Sequence, residues 1–352
     1  MVDLTAYSTI REATFYEKLS NSRVKCTLCE RQCEITPGAK GFCKTRLNVD
    51  GKLYTLVYGD ISTIESRPIE IKPFFHYWPG SSALTFSTWS CNLNCAWCQN
   101  FHLSKLEPEP DKTIAFPPEK VVEAAFYKGD VGLCASFQEP TLLSEWAISL
   151  FRIAKQRRMK YCCYVSNGYM TLQVLKALVE AGLDGLKVDV KGDQEVYEKY
   201  CGCADVEKVW RNAAEAKRLG VHVEIVNLVV DGVNDDENSS RWIVDRHLKS
   251  VGPETPLHFT RYSPAYKFDN PPTRVEALER AYALARKEGV LYVYVGNVDG
   301  HKYESTYCPS CGERLIRRSA HQIVRYDITD DKKCPKCATP VPITGKYMPN
   351  PA

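Results

Sequence analysis

Between about residue 83 and residue 296, short β-branched or aromatic runs alternate with longer amphipathic stretches, and this alternation constrains the fold most. The runs Ala83–Trp89, Val131–Phe137, Lys160–Val165, Asp184–Val190, Val221–Val230, Pro256–Tyr262 and Leu291–Val295 read as strands. Between them, Pro118–Lys128, Leu142–Arg158, Leu172–Ala181, Val206–Leu219, Asn238–Val251 and Arg274–Glu288 read as helices. The helix before Gly220 ends on Lys217-Arg218-Leu219, a cationic last turn followed by a glycine stop. Such alternation implies a parallel sheet with right-handed crossovers. Six or seven units favour an α/β fold built as a partial or full parallel (β/α) barrel over a doubly wound sheet. The expected organisation is a small Cys-rich N-terminal module (1–82), a barrel core (83–300) and a C-terminal zinc-ribbon or rubredoxin-like metal-binding module (301–352).

In parallel barrels, chemistry collects where strands run into their loops, and the polar residues of this core fall there. Cys91, Cys95 and Cys98 follow the first strand, Phe137-Gln138-Glu139-Pro140 the second and Ser166-Asn167-Gly168 the third; Asp189 to Lys191 end the fourth. Asn227 lies in the fifth, Arg261-Tyr262 end the sixth, and Gly296-Asn297 follow the seventh. The loop Ser90 to Asn100 has the spacing C-x3-C-x2-C. Three thiolates on one loop can hold a cubane [4Fe–4S] cluster by three irons, leaving the fourth open, as a catalytic zinc site keeps one position open. S-adenosylmethionine (SAM) could fill that position through its amino and carboxylate groups. Asp189 and Lys191 alternate with Val188 and Val190 and so project to one side of their strand. In a barrel that side is the interior, where an unpaired charge is costly, so they should pair with each other or contact SAM.

Sixteen cysteines need an explanation other than disulfides if the chain is cytoplasmic. That location is expected because Met1 to Tyr7 lacks the layout of a signal peptide, and the longest apolar run, Val221–Val230, is interrupted by His222, Glu224 and Asn227. Eleven of the cysteines form three short-spaced groups, which reads as metal ligation. Cys26, Cys29, Cys33 and Cys43 could hold zinc or a second [4Fe–4S] cluster, since four thiolates satisfy either. Cys308, Cys311, Cys334 and Cys337 form two C-x2-C knuckles, a zinc-ribbon or rubredoxin-like pattern in which zinc is favoured over iron. The other five, Cys134, Cys162, Cys163, Cys201 and Cys203, read mostly as small buried hydrophobes. Asn48-Val49-Asp50-Gly51-Lys52 reads as a turn into a strand. A net charge of +3 on 46 basic and 43 acidic residues gives no field that calls for nucleic acid or an anionic membrane. Residues 302–346 carry nine basic against five acidic residues, which could touch nucleic acid but equally suits an exposed small domain.

With these residues assembled, the chain resembles the radical SAM enzymes of the AmmeMemoRadiSam system, relatives of the pyruvate formate-lyase activating enzymes. The resemblance runs through Cys43-Lys-Thr-Arg46, Pro73-Phe-Phe-His76, Trp97-Cys98-Gln99-Asn100, Glu139-Pro140-Thr141, Asn167-Gly168-Tyr169, Asp189-Val-Lys191-Gly192, Thr255-Pro-Leu-His258-Phe and Tyr294-Val-Gly-Asn297 to the cysteine tail. It implies a barrel of the radical SAM type, with Cys91, Cys95 and Cys98 as ligands of the catalytic [4Fe–4S] cluster. It implies SAM contacts from Trp97, Glu139 (to the ammonium group), Ser166, Asn167, Asp189 and Lys191. The reaction would be reductive cleavage of SAM to a 5′-deoxyadenosyl radical that takes hydrogen from an unactivated C–H bond. The substrate would be a small molecule, lipid or protein, and the electron donor a low-potential ferredoxin or flavodoxin. A glycyl-radical-enzyme activase and an RNA-modifying or zinc-ribbon nucleic-acid-binding protein are the alternatives, although stable nucleic-acid binding and membrane integration are not expected. There are departures: Phe137-Gln138 replace a Tyr-Asn pair, Ser263-Pro264 a His-Pro pair, and Val165 an acidic residue of the activases. His76, Arg261 and His301 are substrate-pocket candidates weighed against structural roles.

Overall fold

The computed structural model describes residues 4–349. Six short strands come first: β1 (Arg11–Glu12), β2 (Tyr16–Lys18), β3 (Val24–Cys26), β4 (Glu34–Ile35), β5 (Arg46–Val49) and β6 (Lys52–Thr55). They form two antiparallel sheets, ordered β1-β6-β5 and β2-β3-β4. The expected turn is a two-residue hairpin between β5 and β6. Asp50 (φ 50°) and Gly51 (φ 86°) are both left-handed, as a type I′ turn requires, and Asn48 Oδ1 accepts from Gly51 N at 2.9 Å.

The central sheet has eight strands: β7 (Thr63–Pro68), β8 (Ser82–Ser87), β9 (Gly132–Ala135), β10 (Tyr161–Ser166), β11 (Gly185–Val190), β12 (His222–Val229), β13 (Leu257–Arg261) and β14 (Val293–Gly296). They lie side by side in that order; β8 to β14 are parallel and β7 joins β8 antiparallel. Every strand read from the sequence is present. Among the described residues β14 does not pair with β7, so the barrel is partial. β7 was not anticipated and belongs to the segment read as N-terminal.

Short α1 (Phe101–Ser104) follows the cysteine loop. The crossovers are α2 (Pro118–Tyr127), α3 (Ser144–Gln156), α4 (Leu172–Ala181), α5 (Gln194–Tyr200) with α6 (Val206–Arg218), α7 (Glu237–Ser250) and α8 (Val275–Lys287). Asp205 caps α6 by accepting from Glu207 N at 2.9 Å, and Asp236 caps α7 by accepting from Asn238 N and Ser239 N. Gly220, at φ 84°, supplies the left-handed stop after α6. The buried faces of these helices and the sheet form one continuous apolar core. No helix of the described residues is long and apolar enough to cross a membrane.

The C-terminal strands β15 (Thr306–Tyr307), β16 (Arg314–Ser319) and β17 (Gln322–Tyr326) make an antiparallel sheet. It packs through Leu315 and Ile316 in a core shared with Phe75, Tyr292 and Tyr294. Strand register places Lys187 beside Glu224, Val226 beside His258, and His258 beside Tyr294, so all lie on the inward face. The segment after β7 crosses that face: the Phe75 ring meets His258 and Tyr294 edge-on at 4.8 Å each, and Tyr77 lies over Gly185.

Candidate active site

The loop after β8 is held in place by its backbone. Ser90 adopts φ 68° and donates from Oγ to Cys43 O at 2.6 Å, while Asn94 N and Ala96 N donate to Cys201 O and Tyr200 O at 3.0 and 2.9 Å. Trp97 is almost fully buried and packs on Tyr200 and Phe268, ring centres 5.3 and 5.5 Å away. These contacts turn Cys91, Cys95 and Cys98 into one pocket of about 390 Å³ at the C-terminal ends of the strands, a size typical of ligand sites.

Trp97, Glu139, Asn167, Asp189 and Lys191 line the same pocket, so sequence positions from 91 to 191 converge there. Ser166 stands behind: its Oγ donates to Glu139 Oε1 at 2.8 Å. Glu139 is buried and caps the turn Pro140–Leu143. Its Oε1 also accepts from Thr141 N (3.0 Å) and Thr141 Oγ1 (2.5 Å), and its Oε2 accepts from Asn167 N at 2.8 Å. Oε2 accepts this one bond, which leaves it acceptor capacity. Burial raises the Glu139 carboxyl although these donors oppose it. The Asn167 amide donates to Asn92 Oδ1 at 2.8 Å, tying the third strand's turn to the cysteine loop.

Asp189 pairs first with Lys187, Nζ to Oδ1 at 2.8 Å, and more loosely with Lys191 at 3.8 Å. Burial raises the Asp189 carboxyl, but Lys187 and then Lys191 outweigh it and hold it below its usual range. Burial likewise lowers the Lys191 ammonium, but Asp189 first, and then Cys95, Cys201 and Cys98 in their thiolate forms, outweigh it and raise it. Lys187 was not singled out in the sequence; the alternation Lys187-x-Asp189-x-Lys191 carried the signal.

His76, Arg261 and His301 do not line this pocket. His76 is buried between Tyr294 OH (Nε2, 2.6 Å) and Pro342 O (Nδ1, 3.3 Å). Arg261 Nε donates to Thr273 O, and His301 meets Glu279. Asn227 and Asn297 donate to the backbone oxygens of Val190 and Arg261. Gln138, Phe137, Lys72 and Arg67, which sequence reading left without a role, line the pocket.

The other two cysteine groups differ from each other. At the C-terminus, Sγ of Cys308 lies 3.5 Å from that of Cys337, and Cys311 lies 3.6 Å from Cys334; all four are within 4.8 Å of one another. A tetrahedral zinc with Zn–S of about 2.3 Å spaces its thiolates about 3.8 Å apart, so the group fits one ion. Cys26, Cys29, Cys33 and Cys43 instead line a small cavity of about 10 Å³, shared with Arg46 and Asn92. A Cβ on Gly41 would meet Ile35 at 3.2 Å and Cys33 at 3.8 Å, so this glycine keeps the wall open. Burial pushes the Cys26 thiol up to about 12, with the Arg46 guanidinium opposing. Arg46 is itself buried in a bidentate pair with Glu145 at 2.6 and 2.8 Å. Of the five remaining cysteines, Cys134, Cys162, Cys163 and Cys201 are buried as expected and Cys203 is exposed.

Residues 87–241 match the family model of the radical SAM superfamily. The chain is 39% identical over 337 residues to an uncharacterized protein of Methanocaldococcus jannaschii, covering 95% of this chain and 99% of that one. It is also similar to the GTP 3′,8-cyclase of Aquifex aeolicus, at 28% identity over 186 residues, which is 49% of this chain and 53% of the cyclase. Among solved structures, a domain of the pyruvate-formate lyase-activating enzyme from Bacteroides vulgatus superposes with a TM-score of 0.41 at 17% identity, over 47% of this chain and 99% of that domain. SuiB of Streptococcus suis with bound S-adenosylmethionine superposes with a TM-score of 0.47 at 13% identity, over 62% and 50% of the two chains.

Proposed function

The chain belongs to the radical SAM superfamily of enzymes, and from that premise we propose that Cys91, Cys95 and Cys98 hold the catalytic [4Fe–4S] cluster of an AmmeMemoRadiSam-type enzyme. One observation carries the reading: three thiols of a single loop share a 390 Å³ pocket with Glu139, Asn167, Asp189 and Lys191. The donor set fits, since three soft thiolates on a pinned loop suit an iron–sulfur cluster and leave one iron for SAM. When bound, the cluster supplies the electron that cleaves SAM, and the 5′-deoxyadenosyl radical released takes hydrogen from an unactivated C–H bond.

The chain's own residues bind, orient and exclude water. Glu139 Oε2 accepts from the SAM ammonium, a charge-assisted bond, while Thr141, Ser166 and Asn167 hold the carboxylate in one rotamer. Asn167 reaches the methionine end or the ribose, whereas Ser166, behind Glu139 and outside the pocket lining, acts through that carboxylate rather than on SAM. Lys191, kept protonated by Asp189 beside the cysteines, receives the SAM carboxylate. Trp97 and Leu228 wall the pocket with apolar surface.

In this reading the C-terminal cysteines hold a structural zinc. The N-terminal four hold zinc or a second [4Fe–4S] cluster, since four thiolates satisfy either. The electron donor is a cytoplasmic low-potential ferredoxin or flavodoxin. Anaerobically reconstituted protein should contain iron and sulfide and release 5′-deoxyadenosine and methionine from SAM under dithionite. A reconstituted protein that binds iron at Cys91, Cys95 and Cys98 but never cleaves SAM would overturn the proposal.

A further inference from the structure

The pocket is lined from two sides of the sheet. Lys191 follows β11 and pairs with Asp189 at 3.8 Å. Lys72 follows the turn after β7, and its Nζ lies over the ring of Phe137, which follows β9.

On that side two groups lack partners among the described residues, and the backbone between them is strained. Lys72 is only 5% exposed and pairs with no carboxylate among the described residues; its Nζ lies 4.5 Å from the centre of the Phe137 ring. A buried ammonium without a counter-charge is unfavourable, and burial draws its pKa down. Gln138, 8% exposed, has both amide atoms buried in the pocket wall without a hydrogen-bond partner. Between them in space, Phe137 holds φ 72°, a strained conformation for a bulky residue, pinned by Asn100 Nδ2 donating to Phe137 O at 2.5 Å. The strain fixes the bend that turns Gln138 to the pocket. Arg67 adds a second cation on the same side, although its Nε is already engaged with Glu65 at 2.8 Å.

A cation without an anion and an amide without partners ask for the same ligand. We infer that this side of the pocket receives an anionic group of the substrate, a carboxylate or a phosphate, held by the Lys72 ammonium and the Gln138 amide. The inference rests on the radical SAM reading of the same pocket, and it makes the substrate an acid or a phosphorylated compound whose reacting C–H points back towards the cysteines. That reading gives the carboxylate of SAM to Lys191, which leaves Lys72 for a second anion, and SAM affinity in the Lys72 variants checks this division.

The test uses anaerobically reconstituted, SAM-saturated protein titrated separately with inorganic phosphate and acetate, followed by ³¹P and ¹³C line broadening. At least one anion should bind, and which one binds separates phosphate from carboxylate substrates. Lys72→Met should weaken that binding by about 10- to 150-fold, the value of a charge-assisted hydrogen bond, and Gln138→Leu by about 2- to 12-fold. Lys72→Arg should restore most of it, and SAM affinity should stay within about twofold of the parent in every variant. The inference is overturned if neither anion binds, if Lys72→Met and Gln138→Leu bind it like the parent, or if SAM affinity falls in parallel. Should Lys72→Met not fold, Gln138→Leu and Lys72→Arg decide alone. Failure of the radical SAM reading is visible separately, as parent protein that neither binds nor cleaves SAM.

Discussion

The inward face of the sheet has two polar regions, and they are finished differently. At the mouth, Glu139, Asp189, Lys191 and Lys72 surround open space. On the floor, Glu224 is fully buried and met by three donors: Oε1 accepts from His76 N (2.8 Å) and His222 Nε2 (3.0 Å), and Oε2 from His258 Nε2 (2.7 Å). His76 continues the network through Tyr294 OH to Thr306 and Arg318, and Thr344 of the C-terminal tail closes it over His222. Lys187, two residues before Asp189 and beside Glu224 in register, stands at the boundary. A polar barrel residue is therefore not a site by virtue of its type. What separates the regions is space: His76, His222 and His258 close over the floor carboxylate, whereas the mouth residues line a cavity of about 390 Å³ that a ligand can enter.

The largest effect that would sharpen this contrast is at the mouth. Replacing Cys91, Cys95 and Cys98 together by alanine should abolish 5′-deoxyadenosine formation while metal analysis still finds about one zinc at Cys308, Cys311, Cys334 and Cys337. Loss of that zinc as well would mean that the two sites are not independent. The floor should behave in the opposite way. Glu224→Gln puts an amide N–H where only donors point, and breaking a buried charged network typically costs about 3–5 kcal/mol. The melting temperature should fall accordingly, with SAM affinity little changed in the protein that remains folded. If SAM affinity fell more than stability, the floor would have to be counted as part of the site.

A smaller effect is expected at Glu139. Glu139→Gln removes one charge-assisted bond to SAM, worth about 1.5–3 kcal/mol, so affinity measured by equilibrium dialysis should drop about 10- to 150-fold. Glu195→Gln, exposed on α5, should change nothing. Equal SAM binding by both variants would remove Glu139 from the site.

Most of the mouth was legible because its residues follow strands whose buried β-branched runs announce themselves. The floor was not, since Glu224, His258 and His76 meet only when distant segments fold together. The signal that did exist was His222 and Glu224 interrupting the apolar run Val221–Val230. β7 escaped because Thr-Ile-Glu-Ser-Arg-Pro is a half-polar edge strand with no buried alternation. Lys72 and Gln138 lack any local pattern: one follows a short helical turn after β7, the other a strained bend after β9, and only the fold brings them to one wall.

The smallest effect concerns acid. Burial, with Glu224 opposing it, lowers His76 to about 3, and burial lowers His258 as well. Burial would raise the Glu224 carboxyl, but His222 and His258 overcome it and hold it far below the carboxylate range. The floor thus folds with His76 and His258 neutral beside an ionised carboxylate. The unfolded chain takes up a proton on each histidine below its ordinary value of about 6.5, where folded His76 stays neutral down to about 3. More protons on the unfolded side mean that stability present above about pH 6.5 is lost as pH falls, and Glu224 adds to the loss below about pH 4.3. His76 alone should contribute a slope of about 1.4 kcal/mol per pH unit between about pH 6 and pH 4. Urea unfolding at a series of pH values should show that slope reduced by one proton in His76→Gln. Glu195→Gln, exposed on α5, should leave it intact. A parent protein whose stability is flat across this range would show that the floor is wet or already protonated, and the distinction between a closed floor and an open mouth would fail.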